Sequence, residues 1–186
     1  MLIEFAKHLL TPAPTILKEM GYVRELIAIE AREKRCHEAW KPHCESSMQE
    51  IKEFTSHVTE TSCIAILGAA LLNDVPLAYL ASRFKRVELV DIVHLPSTRT
   101  KAAQFDNVVC VECDVTGYVE TLYKYCKDGD KRSVLPKPSV PQLYVGVSGK
   151  PSCIVSANIL SQLPIMPSLY AEKKCGYSDS ELVPIK

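Results

Sequence analysis

No sign of charge is in excess in this chain: its 186 residues include 22 Lys+Arg and 22 Asp+Glu, for a formal net charge of zero. Proteins that grip nucleic acid through its phosphates need a basic surplus, so generic nucleic-acid binding is not indicated. Long apolar runs are missing as well. No stretch approaches the ~18 apolar residues that span a bilayer, and the first ten residues are interrupted by Glu4, Lys7 and His8, which argues against a secretory signal. No membrane partner is expected, and there is no internal repeat. Glycine is scarce, with 7 in the chain. Where a dinucleotide-binding loop would read Gly-x-Gly-x-x-Gly, the sequence has Gly68-Ala-Ala-Leu-Leu-Asn73. A nicotinamide-dependent oxidoreductase uses the later glycines to bring backbone against a pyrophosphate, and this loop departs at both.

Cysteine is not scarce, but its distribution argues against a disulfide framework. Cys63, Cys110, Cys113 and Cys153 lie in or beside apolar strand-like runs, where a reduced thiol behaves as a small hydrophobe. A chain of this size buries a core without cross-links, so the expectation is eight reduced thiols in a cytoplasmic protein. Cys36-His37 and His43-Cys44 flank Trp40, yet structural zinc sites use short cysteine pairs in loops or turns. On a continuous helix His37 would also point away from the face shared by 36, 40, 43 and 44, so no metal site is expected. His94, just ahead of Pro96, reads as a surface histidine; the alternative is a base reaching a cleft.

What is present is a change of period near residue 60. Before it, Ile16, Met20, Val23 and Ile27 recur at helical spacing, as do Trp40, Cys44, Met48, Ile51, Thr55 and Val58. Residues 1–60 therefore read as a helical extension that packs on the main domain and roofs its ligand cleft. Thr15 is placed to cap the first helix, and Pro42 to kink or divide the second. After residue 60, continuous apolar runs predict strands at about 63–68, 87–92, 108–113 and 152–157. Helices are expected at about 75–84, 97–104, 116–126 and 159–163. Alternation of this kind, with strands apolar on both sides, predicts an α/β fold: a Rossmann-like, mostly parallel sheet with helices on both faces. Residues 128–151 break the rhythm and read as an insertion with room for a short extra strand. Residues 61–186 thus form a Rossmann-like domain.

In open α/β sheets a ligand sits beyond the carboxyl ends of the strands. Four such places are polar or small here: Gly68 to Asp74, Asp91, Asp114, and Ser156-Ala-Asn158. Gly68 lets backbone approach a ligand closely. Asp74 is placed to cap the following helix, with Pro76 in its first turn. Asp91 can accept from both hydroxyls of a ribose, and Asp114 from an exocyclic amine. Several acids without clustered bases suit a cationic or zwitterionic ligand. Each residue also has an architectural use: Gly68 in strand-to-helix packing, and Asp91 and Asp114 as helix caps.

The order Ile-Leu-Gly68-Ala-Ala, Leu-Val-Asp91-Ile, Glu-Cys-Asp114-Val and Cys-Ile-Val-Ser156-Ala-Asn158 resembles a class I, Rossmann-like S-adenosylmethionine-dependent methyltransferase over about residues 60–165. The resemblance implies that Gly68, Ala70, Asn73 and Asp74 approach the methionine part of S-adenosylmethionine. It places the ribose on Asp91 and Ile92, the adenine on Asp114 and Val115, and the methyl group and an unidentified acceptor near Ser156 and Asn158. The family's sheet has seven strands and four are legible here, so the domain is expected to be incomplete at its C-terminus and to carry a free sheet edge that invites a homodimer. A catalytically inactive, methyltransferase-like interaction module is the alternative, since a fold outlives its chemistry.

Overall fold

The structure, a computed structural model, describes residues 2–128, 135–136, 149–178 and 180–182. Three helices come first: α1 (Leu2–Leu10), α2 (Thr15–Glu19) and α3 (Tyr22–Ser56). The remainder alternates as β1 (Ile64–Leu67), α4 (Leu77–Arg83), β2 (Val87–Asp91), α5 (Pro96–Ala102), β3 (Val108–Glu112), α6 (Val119–Asp128), β4 (Cys153–Ser156) and α7 (Ile165–Cys175). The strands form one parallel sheet in the order β3-β2-β1-β4. Every strand falls inside its predicted window. Most of the expected insertion at 128–151 lies outside the described residues.

Register explains why the strands read as unbroken apolar runs. Ile64 pairs with Val87 and Cys153, and Ile66 with Leu89 and Val155, so one face of the sheet carries a row of aliphatic side chains. Leu80, Phe84 and Ala102 from the α4 and α5 regions cover that row, and Ile51 of α3 joins them. The other face is also dry. Ala65, Glu88 and Val90 are fully buried, and the Glu88 carboxylate is held by Arg86 Nε at 2.8 Å. A right-handed return from β3 to β4 carries α6 to the face opposite α4 and α5.

A second cluster joins the start of α3 to α6 and α7. Met20, Val23 and Ile27 pack with Val93, Leu95, Tyr118, Leu122 and Tyr170. Lys7 of α1 pairs with the buried Glu30 of α3, which also accepts from Ser97 Oγ at 2.9 Å. The far end of α3 is fixed to the first cluster by Ile51 and by Arg83, whose guanidinium donates to the carbonyls of Thr55, Ser56 and Val58. Between these anchors no residue from 31 to 50 is buried.

Several local expectations are corrected. Pro42 does not divide α3; the only non-helical backbone inside it is at Cys36. Thr15 is the first helical residue of α2, whose N-cap is Pro14. Residues 159–163 form turns, and the helix lies further on, at Ile165–Cys175, with Pro167 in its first turn, where a missing N–H costs nothing. The thiols are not all reduced: Cys126 and Cys175 form a disulfide between α6 and α7. The other six cysteines are free, with Cys63 and Cys153 buried as the apolar pattern requires. Among the described residues no helix is long and apolar enough to cross a membrane.

Candidate functional site

The order β3-β2-β1-β4 reverses direction between β1 and β4, and in open α/β sheets the crevice at that switch point is where ligands bind. Beside it lies a hollow of about 260 Å³. Asp74, Ser156 and Asn158 line it from the loops, and Ser47, Glu50 and Phe54 from α3. Asn158 Nδ2 donates to Asp74 Oδ2, so the two loops are tied across the crevice. Asp74 therefore does not cap α4; Pro76 holds that position and no side chain bonds to the helix start. Both loops carry a residue in the left-handed region, Leu72 at φ 61° and Asn158 at φ 51°. Asn73, half-buried, lies between Leu72 and Asp74.

Gly68 stands at the centre of this arrangement. Its φ is +86°, and a Cβ added there would lie 2.5 Å from the Ala157 carbonyl oxygen and 2.8 Å from Ile159 Cβ. The residue is glycine because the turn after β4 presses onto it. Its N–H donates to the Val90 carbonyl at 3.0 Å.

The acids on the other side of Gly68 are engaged within the chain. Asp91 Oδ1 accepts from the Ile92 N–H at 2.8 Å, and the nearby Ala70 and Val93 amides also favour its ionised form. Burial pushes its pKa up to about 6, against the pull of these amides. Ala70 accepts from the Thr98 hydroxyl through its carbonyl. Asp114 accepts from the Thr116 N–H at 2.9 Å and the Thr116 hydroxyl with one oxygen, and from the Val119 N–H at 2.9 Å with the other. That is a cap for α6, and the half-buried Val115 lies within it. Tyr22, at the start of α3, packs against the second cluster, as do Ala70, Leu71 and Ile92. Its burial, reinforced by the negative charges of Asp114 and Asp91, raises its hydroxyl pKa well above the usual range.

The residues singled out in the sequence therefore fall into two groups. Asp74, Ser156 and Asn158 share the hollow; the charges of Asp114 and Asp91 both reach the Tyr22 hydroxyl, and Ala70 and Ile92 pack against the same cluster as Tyr22. The Gly68–Ala157 contact lies between the groups. Sequence reasoning missed Tyr22, Ser47, Glu50 and Phe54. The helical repeat that marked Ile51 and Thr55 carries Ser47 and Phe54 on neighbouring positions, so a search along the helix edge would have found them. His94 is neither on the surface nor in the crevice: it is fully buried, and neither ring nitrogen has a partner in hydrogen-bonding geometry. Burial, and then the nearby Arg99 charge, push its pKa down to about 4. Among the described residues no group of three His, Cys, Asp or Glu is placed to hold a metal.

No family model matches this chain, and no curated protein or solved structure matches it either. The class defined by the fold is a small Rossmann-like α/β protein with a four-stranded parallel sheet.

Proposed function

We propose that the chain is a non-catalytic, methyltransferase-like module that binds a protein partner. The observation that carries this reading is that the groups a class I methyltransferase offers to S-adenosylmethionine are engaged internally. One Asp91 oxygen accepts from the Ile92 amide, the Asp114 carboxylate caps α6, and the open side of Gly68 is filled by Ala157 and Ile159. A ribose needs acceptor positions free on the acid, and the sulfonium end needs access to bare backbone. As arranged, these residues do not fit the cofactor. Support for a protein partner comes from β4. Among the described residues this strand pairs with β1 alone, and Ile154 on it is 50% exposed beside Phe54 at 57%. A strand edge flanked by exposed apolar side chains takes up a partner's strand through backbone hydrogen bonds, a second copy of the chain included.

The second reading, an S-adenosylmethionine-dependent methyltransferase with an unidentified acceptor, is favoured by one observation: the hollow at the switch point gathers Asp74, Ser156 and Asn158. Calorimetric titration with S-adenosylhomocysteine, with a nicotinamide dinucleotide as control, separates the two. Absence of heat from folded protein supports the module. One-to-one micromolar binding would remove that reading and establish the methyltransferase.

A further inference from the structure

The disulfide between Cys126 and Cys175 encloses more than a helix pair. Its ends are 49 residues apart in sequence, and the loop they close contains β4, the turn on Gly68 and α7. Hydrogen bonds run unbroken from that turn into the helix. Gln162 and Leu163 N–H donate to the Ile159 carbonyl at 2.8 and 3.1 Å, Ile165 N–H to Gln162 at 3.1 Å, and Ser168 N–H to Pro164 at 3.0 Å. The turn and α7 therefore form one mechanical piece, and Ile159 is the residue whose Cβ lies against Gly68. The crosslink fastens the far end of this piece to α6, aided by the Tyr123 and Tyr170 rings, 6.0 Å apart, and the Tyr125–Tyr177 hydroxyl pair at 2.9 Å. The bond is also within reach of solvent. Cys126, Lys127, Glu19, Tyr170 and Lys174 line a hollow of about 280 Å³, and Cys126 is half-buried where Cys175 is buried.

We infer that the Cys126–Cys175 disulfide is a redox latch: oxidised, it holds the 157–164 turn down on Gly68, and a low-molecular-weight thiol releases it. The thiolate of the small thiol attacks Cys126 Sγ from the hollow; a new S–S bond forms there, the Cys126–Cys175 bond breaks, and Cys175 leaves as a thiolate that takes up a proton. Lys127 and Lys174 favour the anionic leaving sulfur. A second thiol attacks the sulfur brought by the first, departs with it as the symmetrical disulfide, and leaves Cys126 as a thiol. Two small thiols are oxidised and two protein sulfurs reduced. This rests on the reading that the crevice is closed by the chain's own turn, and it makes that closure conditional.

Hydrogen exchange on the full chain, air-oxidised and then treated with glutathione, tests it. The amides of Gln162, Leu163, Ile165 and Ser168 should lose at least about tenfold more protection on reduction than the β1–β3 amides do. Cys126→Ser should match the reduced protein without added thiol. Equal protection in both states, or a loss no greater in the turn than in the sheet, would overturn the latch, the second result reducing the crosslink to a general stabiliser. S-adenosylhomocysteine binding by the oxidised protein would overturn the closed crevice separately, whatever the exchange data show.

Discussion

Replacing Gly68 by alanine tests whether this glycine serves the chain itself or a ligand. Two costs arise together. The backbone sits at φ +86°, and an L-residue in the left-handed region costs about 1–2 kcal/mol. The new methyl group would also lie 2.5 Å from the Ala157 carbonyl oxygen, a backbone atom that moves only if the β4–α7 turn moves with it. Overpacking of this kind adds about 1–3 kcal/mol. The internal control is Gly176→Ala, where φ is +71° but nothing lies within 4 Å of the added carbon, so only the conformational cost applies. Urea unfolding of the two variants, without ligand, should place Gly68→Ala about 1–3 kcal/mol below Gly176→Ala. At about 2–4 °C per kcal/mol for a chain of this size, the difference is visible in a thermal melt. Equal destabilisation of the two variants would mean that the turn does not press on Gly68, and the argument for an internally filled crevice would fall.

Cys126→Ser removes a crosslink spanning 49 residues; the chain-entropy model puts the loss at about 4 kcal/mol, readable as a lower urea midpoint with a steeper slope, since the freed unfolded chain exposes more surface. Asp91→Asn should alter the pH dependence of stability in one window. The folded-state pKa of about 6 lies above the ordinary 3.8, so the folded protein binds the extra proton more tightly. This group's contribution is then full below about pH 4 and is lost as pH rises to about 6, a swing of about 3 kcal/mol that the variant should lack. A difference profile, wild type minus variant, that is flat from pH 4 to 6 would refute the assignment. Ile154→Lys places a charge on the exposed edge strand and should abolish self-association measured by light scattering; a strictly monomeric wild type would remove the dimer from consideration.

Much of the fold was legible because its cause is local. Ile64, Val87, Val108 and Cys153 open runs that are apolar or small but for Glu88, Asp91 and Glu112, and only a strand covered on both faces asks for that. The partners of the acids were half legible: Asp114 is followed by a threonine and a short helix, and its capping use was one of the two readings open to it. Asp91 was harder, because the backbone around its carboxylate includes Ala70, 21 residues earlier, and the two come together only once the loop has folded. Helix α7 was misplaced because Pro164 and Pro167 punctuate its start and mask the helical period behind them. The disulfide had no local sign. Cys126 and Cys175 stand in Lys- and Tyr-rich helix ends, unlike the apolar settings of Cys63 and Cys153, and which cysteines pair depends on how α6 meets α7. Tyr22 is a similar case: its periodicity predicts a helix, but not that the helix begins above two carboxylates.

The long helix α3 is anchored in buried clusters at both ends, and residues 31–50 between them, about 30 Å at the usual rise per residue, bury no side chain. In mechanical terms it is a beam resting on two piers, one built from the start of α3 with α6 and α7, the other from α4 and the sheet. A load on its exposed span, such as a bound partner bending it at the irregular turn of Cys36, would be felt at both supports at once. A surface far from the strand ends can therefore change the spacing of the two clusters that flank them, without touching the crevice itself.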